Sequence, residues 1–99
     1  MRVVWSPLAI EQASEAARHI AEDSPPTARK WVDGLFACAG ALRQFPRRGR
    51  RVPELDRSDL RELLFGSYRI VYRIEARRVA ILTVRHSRRQ FDPSEVGSP

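Results

Sequence analysis

Residue types that build many common active sites are scarce in this 99-residue chain. It has one cysteine, two distant histidines and a single lysine among eighteen basic residues. The lone Cys38 excludes an internal disulfide, and so few ligands give no metal-binding cluster, so we expect no bound metal. The five glycines are scattered and form no phosphate-binding loop, so no cofactor is expected either.

Long apolar runs are also absent. No stretch approaches the ~20 residues of a membrane-spanning helix, and the N-terminus lacks the apolar core of a secretion signal. We therefore expect a cytoplasmic protein without membrane contact. The length fits one domain over residues 1–99, with a polar tail from about residue 90 that we expect to be flexible.

Basic charge is concentrated in the second half of the chain. Residues 1–46 carry five basic and five acidic side chains, whereas residues 47–99 carry thirteen arginines against seven acids and so the whole net charge of +6. A neutral half joined to a basic half favours a scaffold that presents cations to a polyanion or to an acidic protein. Since almost every basic residue is arginine, compositional bias is the alternative explanation.

The first half of the sequence predicts a short strand and two helices. The strand ends at Ser6, whose hydroxyl is suited to cap a helix that has Pro7 at its first position. A second helix begins near Ser24 and runs to about Gln44. Two helices joined by so short a break form an antiparallel hairpin.

The second half predicts a loop and then a three-stranded antiparallel meander. The loop covers 47–55, and β-prone runs follow near 60–65, 68–74 and 79–85. The complete order is β-α-α-β-β-β, an α+β fold with both helices on one face of the sheet.

A two-residue turn after Phe65 would set the register of the first two meander strands, with Phe65 opposite Tyr68 and Leu63 opposite Ile70. The face that the helices cover would then hold Leu63, Phe65, Tyr68, Ile70, Tyr72 and Ile74. The other face would be a mixed, partly charged surface of Glu62, Leu64, Arg69, Val71 and Arg73. A one-residue slip in the turn would exchange these two faces.

Six segments, in order, cover nearly the whole chain. They are Trp5-Ser-Pro-Leu-Ala, Phe45-Pro-Arg-Arg-Gly-Arg, Val52-Pro-Glu, Arg61-Glu-Leu, Tyr68-Arg-Ile-Val-Tyr-Arg-Ile and Val84-Arg-His-Ser-Arg-Arg. Together they resemble the RelE/ParE superfamily of type II toxin–antitoxin toxins, in its ParE-like branch. The resemblance implies a plasmid-stabilisation toxin that arrests growth when free and is neutralised by a cognate antitoxin in a hetero-oligomer.

The resemblance implies two alternative targets, because this fold hosts different activities. ParE-like toxins poison DNA gyrase, whereas RelE-like and YoeB-like toxins cleave mRNA on the ribosome. Carried over by position, the nuclease residues would be Glu54, Arg61 and Arg69. Nuclease members would also show His-Tyr at the chain end or a tyrosine after the last strand. Here a serine follows His86 and no such tyrosine is present, which favours gyrase.

If the protein is a nuclease, its catalytic residues lie in the basic half. Cleaving RNA at its own 2′-OH needs a base, charge stabilisation and an acid for the leaving oxygen. Glu54 or His86 would be the base, while His19 is expected on the helix surface. The candidate contacts to the target or to phosphate are Arg61, Arg69, Arg73, Arg85, Arg88 and Arg89.

Each candidate also has a purely structural interpretation. Glu54 would neutralise neighbouring loop arginines, and Glu62 would pair across the strands with Arg69 or Arg73. His86 would be a strand-end residue without chemistry. A third function therefore stays open beside the two toxin mechanisms, namely a non-toxic basic interaction module.

Overall fold

The structure, a computed structural model, describes residues 1–89 and 91–97 and places two helices against a five-stranded sheet. The elements in chain order are β1 (Arg2–Trp5), α1 (Pro7–Asp23), α2 (Pro25–Gly40), β2 (Arg50–Arg51), β3 (Leu60–Phe65), β4 (Tyr68–Ile74) and β5 (Arg78–His86), with 3₁₀ turns at Ala41–Arg43 and Pro93–Glu95. The predicted α+β architecture is confirmed.

Both helices begin where the sequence predicts. The Ser6 hydroxyl accepts a hydrogen bond from the backbone of Ala9 at 3.0 Å, and the Ser24 hydroxyl accepts one from Thr27 at 3.3 Å. A proline follows each capping serine, where its missing N–H costs no helical hydrogen bond. Within the described part of the chain, neither helix combines the length and apolar character needed to cross a membrane.

The five strands lie in the order β1-β5-β4-β3-β2. β3, β4 and β5 form the predicted antiparallel meander, and β1 joins its edge parallel to β5, with Trp5 opposite Ile81. β2 pairs antiparallel with β3. The expectation that all of 47–55 is a loop is therefore wrong for the two residues of β2, which gain backbone partners on β3.

The predicted register of β3 and β4 is confirmed. Phe65 lies opposite Tyr68, and Leu63 lies opposite Ile70. Gly66, in the turn between them, has a φ of 56°, a conformation that favours glycine because it has no Cβ. The turn therefore fixes which side chains of β3 and β4 face the helices.

The larger hydrophobic cluster lies between the helices and the sheet. Leu35 and Leu42 from the helical half and Ile70 and Tyr72 from β4 are all fully buried in it. The partly buried residues of the predicted apolar face pack against this cluster: Leu63, Phe65, Tyr68 and Ile74. The assignment of the helix-covered face is thus confirmed.

An irregularity in the pairing of β4 with β5 changes which residues of β5 face the helices. Leu82 is an extra residue between the partners of Val71 and Tyr72. A bulge of this kind shifts the alternation of a strand by one position. Ile81 and Val84 consequently both belong to the helix-side cluster although they are three residues apart.

A second hydrophobic cluster covers the opposite face of the sheet. Its buried members are Val52, Leu60, Val71, Ala80, Leu82 and Val96. The segment after β2 supplies Val52, and the C-terminal segment supplies Val96. The expectation of a mixed surface on this face is therefore wrong for Val71 and Glu62, which are 2% and 1% exposed, and holds for Leu64, which is 59% exposed.

The C-terminal segment from 91 to 97, part of the tail predicted to be flexible, lies against this second cluster. Val96 is 3% exposed, and an Arg57 Nη1 donates a hydrogen bond to the carbonyl of Gly97 at 2.8 Å. Glu95 forms an ion pair with Arg85 of β5. The remaining tail residues lie outside the described residues: Gln90, Ser98 and Pro99.

Candidate functional site

A buried carboxylate, that of Glu62 in β3, lies at the centre of the basic half. The residue is 1% exposed. Arg69 Nε of β4 donates to its Oε1 at 3.0 Å, and Arg50 Nε of β2 donates to its Oε2 at 2.7 Å. A buried charge is tolerated only when it is paired and hydrogen-bonded, and the strands on both sides of β3 meet this requirement.

Arg69 is shared between two carboxylates. Its Nη1 and Nη2 donate to the two oxygens of Glu54, at 2.8 and 2.9 Å, while Nε donates to Glu62. The guanidinium carbon lies 5.3 Å from the centroid of the Phe91 ring, in a cation–π contact. Every nitrogen of Arg69 already has a carboxylate partner, and the side chain is 12% exposed.

Electrostatics hold this pair in its ionised form. The hydrogen bonds from Arg69 are the main cause that lowers the pKa of Glu54 below its ordinary value. The bonds to Glu54 in turn raise the pKa of Arg69. A general base works best with a pKa near the operating pH, so a carboxylate with a depressed pKa is a poor base for a 2′-OH.

Two further arginines of the predicted contact surface are also paired. Arg85 Nε donates to Glu95 at 2.8 Å, and this bond is the main cause that raises the pKa of Arg85. Arg73 Nε donates to Glu75 at 3.0 Å, and its Nη1 donates to the carbonyl of Val96 at 3.3 Å. Both side chains hold the fold together as well as carrying charge.

The structure divides the predicted nuclease residues between the two faces of the sheet. Glu54 and Arg69 meet on the face opposite the helices. Arg61 lies across from Tyr72 and His86 across from Tyr68, so both lie on the helix-facing side. One carboxylate–arginine pair is therefore brought together, and the other two candidates are separated from it by the sheet.

Arg61 is close to the loop that follows the helical hairpin. Its Nη1 donates to the carbonyl of Gly49 at 3.2 Å, and its Nε is buried without a hydrogen-bond partner among the described residues. The hydroxyl of Tyr72 bridges the same loop, since it donates to the carbonyl of Pro46 at 2.7 Å and accepts from the backbone of Gly49 at 2.9 Å. Burial is the main cause that raises the pKa of Tyr72.

His86 lies in a groove between α1 and the ends of β4 and β5. Its ring meets Tyr68 edge-on at 5.3 Å, and its Nδ1 accepts from the backbone of Arg88 at 3.1 Å. The groove has a volume of about 420 Å³ and is also lined by His19 of α1 and by Arg89. Two histidines 67 positions apart in sequence therefore line one groove, which sequence reasoning missed because α1 packs directly on β5.

Gln12 is a second residue that sequence reasoning missed. Its Oε1 accepts from the backbone of Val84 at 2.8 Å and from the hydroxyl of Thr83 at 2.9 Å. These bonds fix α1 against the end of β5 and so shape the groove. A polar residue on the apolar side of a predicted helix was the only available signal, and it does not identify the partner.

Among residues 1–89 and 91–97, no three metal-binding side chains are grouped to hold an ion.

Within the described part of the chain, exposed arginines of the basic half without a carboxylate partner lie in the loop before β2, in the turn between β4 and β5, and after β5. Among residues 1–89 and 91–97, the arginines of this half without a carboxylate partner are Arg47, Arg48, Arg61, Arg77, Arg88 and Arg89. Arg47 and Arg48 belong to the loop before β2, and Arg88 and Arg89 follow β5 after Ser87. All four are exposed. Of the predicted contact residues, only Arg88 and Arg89 are both exposed and without an acidic partner in the described part of the chain.

Comparison with known proteins gives a family match and a fold match. The family model described as ParE toxin of type II toxin–antitoxin system, parDE, matches residues 3–91. A structure of the chromosomal ParDE toxin–antitoxin system from P. aeruginosa is 19% identical, with a TM-score of 0.73 over 87% of this chain and 95% of that one. A structure of the RelBE2 toxin–antitoxin complex from Mycobacterium tuberculosis is 27% identical, with a TM-score of 0.55 over 86% and 95%. No curated protein matches the chain significantly.

Proposed function

Since the chain belongs to the ParE toxin family of type II toxin–antitoxin systems, we propose that it arrests growth by ParE-like poisoning of DNA gyrase when it is free of a cognate antitoxin. In this proposal the protein acts by binding, and it needs no catalytic residue of its own.

The mutual pairing of Glu54 and Arg69 is the observation that carries this proposal. A nuclease built on these positions needs a carboxylate free to take a proton and a guanidinium free to stabilise the phosphorane. Here the two groups bond to each other at 2.8 and 2.9 Å, and Glu62 takes the remaining nitrogen of Arg69. The geometry therefore favours a structural role for both residues.

Contact with the target is assigned to the exposed arginines after β5. Arg88 and Arg89 have no carboxylate partner among the described residues. The Arg69 network holds Phe91 two residues further along, and Glu95 ties the following turn to Arg85. These contacts limit the freedom of the segment that carries Arg88 and Arg89, which reduces the entropy lost on binding.

The antitoxin is proposed as a second partner. The solved structures compared above are both toxin–antitoxin complexes. A net charge of +6, all of it in the second half, is complementary to an acidic antitoxin tail that folds on binding as a helix or an added strand. We therefore expect a toxin–antitoxin hetero-oligomer in the cell.

A RelE/YoeB-like ribosome-dependent endoribonuclease is the second candidate. The observation in its favour is the groove that His19, His86 and Arg89 all line. Two imidazoles near a guanidinium are suited to act as base and acid on RNA, with the cation stabilising the phosphorane. This arrangement lies on the opposite side of the sheet from Glu54, so it would be a different active site from the one that the family resemblance implies.

Induced expression without an antitoxin tests the proposal. Incorporation of labelled thymidine and labelled methionine is followed after induction, and we expect DNA synthesis to stop first. The purified protein should also trap gyrase on supercoiled plasmid as a cleaved complex. If protein synthesis stops first and mRNA is cut in the ribosomal A site, the endoribonuclease replaces this proposal. Unchanged colony counts would leave the non-toxic basic interaction module.

A further inference from the structure

The loop at residues 45–48, between the helical hairpin and β2, exposes an aromatic side chain beside two cations. Phe45 is 59% exposed, and Arg47 and Arg48 are exposed and have no carboxylate partner among residues 1–89 and 91–97. A single exposed apolar residue is ordinary on a protein surface. Together with two unpaired cations it can form a specific binding surface, because the backbone of this loop is also held in place.

The hydroxyl of Tyr72, in β4, holds the loop in place from the side of the sheet. Tyr72 is fully buried in the helix-side core, yet its hydroxyl donates to Pro46 at 2.7 Å and accepts from Gly49 at 2.9 Å. At Gly49, a Cβ would come within 2.6 Å of the carbonyl oxygen of Glu62 and of the Tyr72 hydroxyl, so no larger residue fits. The backbone on both sides of Arg47 and Arg48 is therefore tied to the sheet.

The surface of this loop is apolar at its centre and positive at its edge. Phe45, Pro46, Arg47 and Arg48 line a shallow cavity of about 580 Å³, to which no acidic side chain of the described residues contributes. An apolar cavity next to guanidinium groups suits a ligand that brings one apolar side chain and several carboxylates.

We propose that the 45–48 loop is a preorganised docking surface for an acidic segment of a partner protein that carries an apolar anchor residue. The anchor packs on Phe45 in the cavity, and carboxylates on either side of it pair with Arg47 and Arg48. A nucleic acid duplex would satisfy the arginines through its phosphates, but its bases are stacked on each other and would leave the apolar cavity without a partner. An unpaired base that stacks on Phe45 is the competing outcome of the test below. Tyr72 is a positioning residue, because it holds the loop without touching the partner.

This surface is independent of the proposed action on gyrase. The test measures binding by purified protein, and growth arrest is not one of its readouts. A failure here therefore leaves the gyrase proposal standing, and a failure of the gyrase proposal leaves this one standing.

Fluorescence anisotropy with three labelled probes tests the proposal. The probes are a short peptide rich in glutamate and aspartate with a central Leu-Phe pair, the same peptide with that pair replaced by serines, and a single-stranded DNA of similar charge. We expect saturable binding of the first peptide, weakened about tenfold or more by loss of its anchor or by Phe45→Ala. A double substitution, Arg47→Ala with Arg48→Ala, should weaken binding comparably. It should not make the binding of the peptide more dependent on salt concentration.

Two variants separate a docking surface from general attraction to positive charge. Tyr72→Phe keeps the buried ring and removes only the hydroxyl, so it should weaken the anchored peptide several-fold while circular dichroism shows a folded protein. Arg29→Ala removes an exposed arginine from the other end of α2 and should change nothing. Equal affinity for both peptides, an equal loss with Arg29→Ala, or tighter Phe45-dependent binding of the DNA would each overturn the proposal. So would the absence of saturable peptide binding at low salt.

Discussion

Glu54 and Arg69 form a two-point ion pair, with Nη1 and Nη2 donating to the two carboxylate oxygens at 2.8 and 2.9 Å. The pair joins the loop before β3 to β4, and Glu62 extends it into the sheet. Two residues that a nuclease would use in separate roles therefore satisfy each other. The same contact explains why Arg69 can lie in the middle of a sheet. It also means that its guanidinium is not free to bind a ligand.

Loss of the Glu62 cluster should destabilise the protein. Arg69→Ala leaves the buried Glu62 carboxylate with only the more exposed Arg50, and removing one partner of a buried pair costs about 3–5 kcal/mol. Urea unfolding followed by circular dichroism measures the change. Arg51→Ala is the matched control, because its exposed pair with Asp56 contributes less than about 1 kcal/mol. Equal, small effects of both variants would contradict the structural role.

The exposed arginines after β5 should affect toxicity without affecting stability. A double substitution, Arg88→Ala with Arg89→Ala, removes surface side chains whose loss usually changes stability by less than about 0.5 kcal/mol. We expect loss of growth arrest with an unchanged melting temperature. Arg18→Ala on the exposed side of α1 serves as the control and should remain toxic. Full toxicity of the double variant would exclude these residues as the target contact.

The residues that distinguish the two mechanisms should both be dispensable. Glu54→Gln and His86→Gln should remain toxic, with DNA synthesis the first process to stop after induction. In a nuclease, loss of a general acid or base lowers the rate by ~10²–10⁴-fold and would abolish toxicity. His19→Gln combined with His86→Gln extends the test to the groove. Loss of toxicity in any of these variants, together with mRNA cleavage by the parent protein, would favour the endoribonuclease.

Acid should reduce the stability that the carboxylate–arginine pairs contribute to the fold. Bonds from arginines lower the pKa of Glu54 and of Glu75 in the folded protein. A group with a lowered folded pKa contributes stability above its unfolded pKa, near 4, and loses it as pH falls through the folded value. The urea midpoint should therefore fall from about pH 5 downward. Glu54→Gln should flatten this fall, and an unchanged slope would mean that the Glu54–Arg69 pair adds no net stability.

Local chemistry of the chain determined the parts of the fold that the sequence predicted correctly. Ser6 and Ser24 cap the two helices because a hydroxyl followed by proline satisfies the first helical N–H groups wherever it occurs. The turn at Gly66 sets the register of β3 and β4, and that register alone places Tyr68 and Ile70 under the helices. These features depend on neighbours only a few positions away.

Tertiary structure decided the rest, because it depends on contacts between residues that are distant in sequence. Nothing near β1 specifies that it lies parallel to β5, and the composition of the 91–97 segment does not reveal that Val96 completes a second core. The sequence displayed both Glu54 and Arg69 as candidates for chemistry. Only the folded chain brings their charges within hydrogen-bonding distance, so that they pair with each other. Strand pairing determines which side chains meet, and local preferences do not encode it.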